Sequence, residues 1–438
     1  GWIGGFRSGT GISPTGSNLA TPSPAACVSV SSYQQPMPGW CVGGLSIDNG
    51  NTTAGAFNYP YGIASDANYI YVTNRNSGTI NRYNATTGAY DGWIGRISST
   101  PTGVGTGGPA SCTSSGAGTV TPGWCRGGDR SMPSNLGDGS MYYPRAIVTA
   151  GGYIYVGTQG AILRFNAADG SYAGWVGMVG TSSPTGGAAG CSTTLNTQIT
   201  PGWCTGGTTV TTNPRTNPGG VRDPSGMHIL GTTLYVVDDQ NGGVIGRYDL
   251  DTGAFLGLMP SLAFNWVSPR QITSDGSQFF VADWHRLIKV DMDGLVTGWI
   301  GKVSNNNSMS GTGCTSLQPN DNTPGWCLGG SSKHGMDERA FHNLTAIAYD
   351  GSGNIVTGQG DNFPAVKIFN ATTGVYGGSL GAKSISPTAW SNNAMSDAEF
   401  YGFDDNSMYS PNGSYIHNGY IYFVELNAAR IKKVELAT

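Results

Sequence analysis

Along this 438-residue chain one order of four short runs recurs about every 40 residues, and that recurrence limits the fold more than any other feature. The clearest copy reads Tyr59-Pro-Tyr-Gly-Ile63, Tyr69-Ile-Tyr-Val72, Ile80-Asn-Arg-Tyr83 and Gly92-Trp-Ile-Gly95. Others open at Tyr143, Asp223, Ser268, Leu344 and Ser410, and the last of these lacks its fourth run. The runs are rich in β-branched and aromatic residues and are separated by turn pairs such as Thr87-Gly88, Asp169-Gly170 and Thr252-Gly253. Helical periodicity of apolar residues is nearly absent. Four strands per unit at this period predict an all-β fold built of β-propeller blades. An orphan Gly1-Trp-Ile-Gly4 at the start would supply the outer strand that the last copy lacks.

A second repeat lies between these units. Pro-Gly-Trp-Cys occurs at Pro38–Cys41, Pro122–Cys125, Pro201–Cys204 and Pro324–Cys327, each followed by Gly-Gly and preceded by one more cysteine. The pairs Cys27 and Cys41, Cys112 and Cys125, Cys191 and Cys204, and Cys314 and Cys327 account for all 8 cysteines. Local pairing predicts four disulfides and an oxidising compartment. Zinc is the rival reading, but its cysteine ligands usually stand two to four residues apart, and no CxxC is present.

The phrases Pro-x-Gly-Ile, Tyr-Ile-Tyr-Val, Ile-x-Arg-Tyr and Gly-Trp-Ile-Gly resemble the NHL-repeat family of six-bladed propellers, over roughly 240 of the 438 residues, all outside the cysteine loops. The resemblance implies one propeller domain over 1–438, with the outer strand of blade six at 1–4. Blades one to six then cover 57–95, 141–177, 221–258, 266–301, 341–381 and 408–438. Cysteine loops occupy 5–56, 96–140, 178–220 and 302–340 and depart from the family. As insertions between an outer strand and the next inner strand, they are expected to crowd one face of the disc. The connection 258–266 is short. The connection 382–408 is long and cysteine-free, with Trp390, Phe400, Tyr401 and Phe403 as packing anchors. A start inside a repeat phrase reads as a processed or excised chain.

Composition narrows the partners. Charged residues are only 11 % and the net charge is −4 with no Lys/Arg run, which argues against nucleic acid. No stretch approaches the roughly 20 apolar residues of a membrane span. Gly is 71 residues, yet 38 % hydrophobic content with 21 Tyr and 11 Trp supplies a core.

Candidate site residues are few. Trp40, Trp124, Trp203 and Trp326 of the Pro-Gly-Trp-Cys phrases suit a protein or carbohydrate surface, or each packs over its own disulfide. Trp2, Trp93, Trp175 and Trp299 are expected between neighbouring blades. Arg145, Arg222 and Arg270, near the starts of inner strands, would either bind a ligand at the channel mouth together with His228 or pair with Asp223, Asp238, Asp239 and Asp283. Of 5 histidines only His228 falls on an inner strand, and one histidine does not make a metal site. Asp249-Leu-Asp-Thr-Gly253 and Asp291-Met-Asp-Gly294 read as turns rather than calcium loops. Asn-x-Ser/Thr sequons stand at Asn51, Asn84, Asn306, Asn343, Asn370 and Asn412. No catalytic residue, metal or cofactor is assigned.

The composition and loops together imply a non-catalytic extracellular or cell-surface propeller, a structural or recognition module such as a subunit of a surface layer, sheath or filament. Its protein partners or further copies would meet the loop face. The alternative is a secreted propeller lyase or hydrolase with a polar or metal site in the central channel.

Overall fold

The computed structural model describes residues 1–7, 14–16, 27–28, 30, 35–46, 55–133, 138–214, 216–239, 243–260, 266–337, 339–360, 365–380 and 410–436. The anchors placed at Trp390, Phe400, Tyr401 and Phe403, and the sequon at Asn51, lie outside the described residues.

The protein is an all-β propeller. Blade one is Pro60–Ser65, Tyr69–Asn74, Thr79–Asn84 and Tyr90–Gly95, paired antiparallel in that order. Blade two is Ile147–Ala150, Tyr153–Thr158, Ala161–Asn166 and Tyr172–Val179. Blade three is Pro224–Leu230, Thr233–Asp238, Val244–Asp249 and Phe255–Leu258. Blade four is Pro269–Ser274, Gln278–Asp283, Arg286–Asp291 and Val296–Asn305, and blade five is Leu344–Tyr349, Asn354–Gln359, Ala365–Asn370 and Tyr376–Leu380. Blades made of consecutive strands therefore number five rather than six. The remaining sheet is composite: Pro411–His417, Tyr420–Glu425 and Arg430–Glu435 are completed by Trp2–Gly4, with Trp2 opposite Lys432 and Gly4 opposite Arg430.

Second strands such as Tyr69–Asn74 are buried at nearly every position, because both faces of a blade pack on neighbouring blades. Ile70 and Val72 join a cluster with Tyr422 and Ile431 of the composite sheet, while Tyr71 joins Ile147 and Val156 of blade two. The third-to-fourth strand ladder shifts register at one equivalent place in every consecutive blade, at Arg82/Tyr83, Arg164/Phe165, Arg247/Tyr248, Lys289/Val290 and Ile368/Phe369. Such bulges increase the twist that fans a blade outward.

The inner strands lie against one another around a ring, from Pro60–Ser65 through each blade to Pro411–His417 and back. The glycine of Pro-x-Gly makes this approach possible. A Cβ at Gly62 would stand 2.1 Å from the Arg145 carbonyl, at Gly226 2.5 Å from that of Arg270, and at Gly413 2.5 Å from that of Tyr61. Hydroxyls bridge the same seams: Thr73 donates to the Arg145 carbonyl at 2.8 Å and Thr149 to that of Ser65 at 2.7 Å.

The described parts of the cysteine loops add to the edges of the blades. Each returns to the outer edge of its blade, where Cys41, Cys125, Cys204 and Cys327 stand opposite Trp2, Trp93, Trp175 and Trp299. Further out Met178 pairs with Val210 and Lys302 with Lys333. The physical reason is the unpaired backbone of an outer strand: an added edge satisfies its N–H and C=O groups at no cost to the ring.

Candidate functional site

All four expected cysteine pairs are disulfides, with Cα atoms 5.4 to 5.8 Å apart. The tryptophan beside each one faces inward. Trp40 and Trp124 are fully buried, Trp203 is 4 % exposed and Trp326 is half-buried, which corrects the reading of the four as an open binding surface.

Each of these tryptophans grips the next blade. The Trp40 backbone N–H donates to the Thr87 carbonyl and its indole N–H to that of Ala85, at 3.0 and 3.2 Å. Trp124 does the same to Asp169 and Ala167, Trp203 to Thr252 and Leu250, and Trp326 to Thr373 and Ala371. All these acceptors lie in the turn between the third and fourth strands. The turn glycine must come close: a Cβ on Gly88, Gly170, Gly253 or Gly374 would stand 2.6 to 2.8 Å from the tryptophan nitrogen, and each has φ between +73° and +77°.

Each indole also rests on its own blade, against Tyr422, Tyr71, Tyr155 or Phe280 at 5.6 to 5.8 Å between ring centres. A third-strand cation completes the stack. Arg82 lies 4.2 Å from the Trp124 ring and 4.3 Å from Tyr69, Arg164 lies 4.7 Å from Trp203, and Lys289 and Lys433 lie 5.1 and 5.5 Å from Trp326 and Trp40. Trp2, Trp93, Trp175 and Trp299 pack in the blades and donate their indole N–H to Gly43, Gly127, Gly206 and Gly329, the glycines after each Pro-Gly-Trp-Cys phrase.

The inner ring encloses a cavity of about 230 Å³ that includes Ile63, Ile147, His228, Ile272, Ile347 and Tyr415 in its walls. Burial drops the His228 imidazole to about 4, so it is neutral at physiological pH, with its ring 6.4 Å from Phe279. His228 therefore faces the channel apart from the arginines it was grouped with. Among the described residues, no three His, Cys, Asp or Glu side chains gather to hold a metal.

Two of the three predicted arginines meet at the channel mouth. Arg145 Nη1 is 2.8 Å from Asp223 and 4.0 Å from Asp239, and Arg270 Nε is 3.3 Å from Asp239. Arg222 contributes its backbone N–H to Asp238 at 2.7 Å, a strand-end contact outside that cluster. Sequence reasoning missed Tyr61, 5.3 Å below the Arg145 guanidinium, and Arg75, 5.0 Å above the Tyr143 ring. Arg75 directly follows Asn74, the last residue of a second strand, just as Asp239 follows Asp238. That equivalence was the available signal.

The Asp249 and Asp291 segments are turns: each Oδ1 accepts backbone N–H groups, from Thr252 at 2.8 Å and Leu295 at 2.7 Å. Sequons Asn84 and Asn370 cap turns in the same way, through Thr87 and Thr373. Asn412 is buried, with its amide donating to Ser410, and Asn306 donates to Leu317.

No protein-family profile matches the chain, and no curated protein matches it. Solved structures do. A structural-genomics protein of unknown function from Bacteroides thetaiotaomicron is similar at 13 % identity and TM-score 0.46, over 88 % of this chain and 72 % of that one. BamB from Moraxella catarrhalis is similar at 13 % identity and TM-score 0.36, over 85 % and 82 %. A chain of a nidogen/laminin complex is similar at 15 % identity and TM-score 0.29, over 49 % and 61 %.

Proposed function

We propose that this protein is a non-catalytic extracellular scaffold, one propeller domain in which the composite sheet serves as the sixth blade. The observation that carries this reading is the use of the cysteine loops. Four disulfide-closed segments cover blade edges, and their tryptophans are used in gripping neighbouring blades. A fold so reinforced suits exposure to proteases and oxidants, and covered edges prevent uncontrolled strand pairing. Contact with further copies, in a layer, sheath or filament, then uses the rim and the disc faces.

The enzyme alternative needs acid, base or metal-binding groups converging in the channel, and the described channel wall places His228 among aliphatic side chains and the neutral polar groups of Gln271, Thr273, Ser274, Ser414 and Tyr415, with no carboxylate beside it. Electron microscopy of the protein as isolated from its source, with light scattering of the purified chain up to millimolar concentration, tests the proposal. Ordered arrays or concentration-dependent oligomers are the expected result. A strict monomer that turns over a sugar or ester substrate would overturn it.

A further inference from the structure

The channel mouth carries an unbalanced set of charges. Arg145 and Arg270 share Asp223 and Asp239, whereas Arg75 adds a third guanidinium beside Arg145. Among the described residues this leaves three cations facing two carboxylates. Counting Arg222 together with Asp238, which accepts its backbone N–H, leaves the excess unchanged. The carboxylates are 4 % and 7 % exposed, so the excess charge sits where water screens it poorly. Burial and the neighbouring Arg145 charge pull the Arg75 guanidinium below its ordinary value, by more than Tyr61 and Asp223 raise it. Burial alone would also lower Arg270, but Tyr61 and Asp239 outweigh it and hold that group above its usual value. The Nε atoms of Arg75 and Arg145 are buried without a hydrogen-bond partner in the protein. The Arg75 guanidinium lies over the Tyr143 ring and that of Arg145 over the Tyr61 ring, 5.0 and 5.3 Å from the ring centres.

We propose that Arg75 and Arg145, held by Tyr143 and Tyr61, form an anion site at the channel mouth that takes one small oxyanion, a phosphate or an organic carboxylate. Guanidinium forks match both groups and form charge-assisted hydrogen bonds with them. The site is independent of the scaffold reading: it would load in a monomer or an array.

The test is calorimetric titration of the full chain, in low-salt buffer, with inorganic phosphate in one arm and succinate in the other. Saturable one-to-one binding is expected, weakened at least about tenfold in Arg75→Gln and partly restored in Arg75→Lys. The tighter arm identifies the ligand class. The rim variant Arg96→Gln should bind as wild type does. Tyr143→Leu, which removes the ring under Arg75, gives an independent reading and should weaken binding severalfold. An absence of saturable heat in both arms, or equal binding by wild type and Arg75→Gln, overturns the proposal.

Discussion

Single residues show how closely each clasp is fitted. Gly170 has φ +77° and leaves 2.6 Å for a Cβ before the Trp124 nitrogen, so Gly170→Ala must break the clasp as well as strain the turn. A loss of about 2 kcal/mol or more in unfolding free energy is expected by chemical denaturation. Trp124→Phe keeps the packing but removes the N–H to Ala167 and weakens the Arg82 stack, for about 1–2 kcal/mol. Trp284 presents the opposite case: it is 45 % exposed and holds φ +53°, where a bulky residue is strained. Trp284→Asn should raise stability by about 0.5 kcal/mol, since Asn tolerates that conformation. His228 sets a pH dependence. Its folded value near 4 lies below the ordinary 6.5, so the unfolded chain binds more protons between those limits. Stability from this site is complete above pH 6.5 and falls as pH drops toward 4. The melting temperature should decline across that window, and less so in His228→Phe.

Elements were far more legible in the sequence than their relations. Tyr69-Ile-Tyr-Val and Gly-Trp-Ile-Gly marked strands because alternation and turn chemistry are local properties, and the cysteine spacing marked ring closure for the same reason. Where the loops would lie depended on which backbone groups were left unpaired, and those belong to an edge that exists only after a blade has formed. Trp40 and Trp124 were therefore recognisable as anchors or ligands but not as grips on a neighbouring turn. Arg75 was hidden because its partners Tyr143 and Arg145 come from the next repeat. Each disulfide closes a loop spanning 13 or 14 positions, which stabilises the folded state by about 3 kcal/mol in the chain-entropy model. Reduction with an intact backbone should lower the melting temperature in a single step and make the Cys112–Cys125 loop a site of proteolysis. An unchanged digestion pattern after reduction would show that the clasp alone holds the loop.

In the whole molecule the two ends of the chain share one sheet, with Trp2, Ile3 and Gly4 paired to Lys432, Ile431 and Arg430. Removing residues 1–4 would expose the Arg430–Glu435 edge and release the Trp2 indole from Gly43. Cooperative unfolding should give way to an early transition in which the composite sheet frays, seen by hydrogen exchange at Tyr420–Glu425 before the other blades. The clasps themselves divide the ring unevenly. Among the described residues four seams carry one: composite sheet to blade one, one to two, two to three, and four to five. The seams from three to four and from five to the composite sheet have no cysteine in the intervening chain. A hoop strapped by disulfides at some joints fails first at the joints without them. Stretched or heated, this propeller should part along those two joints into two arcs, blades four and five on one side and the composite sheet with blades one to three on the other.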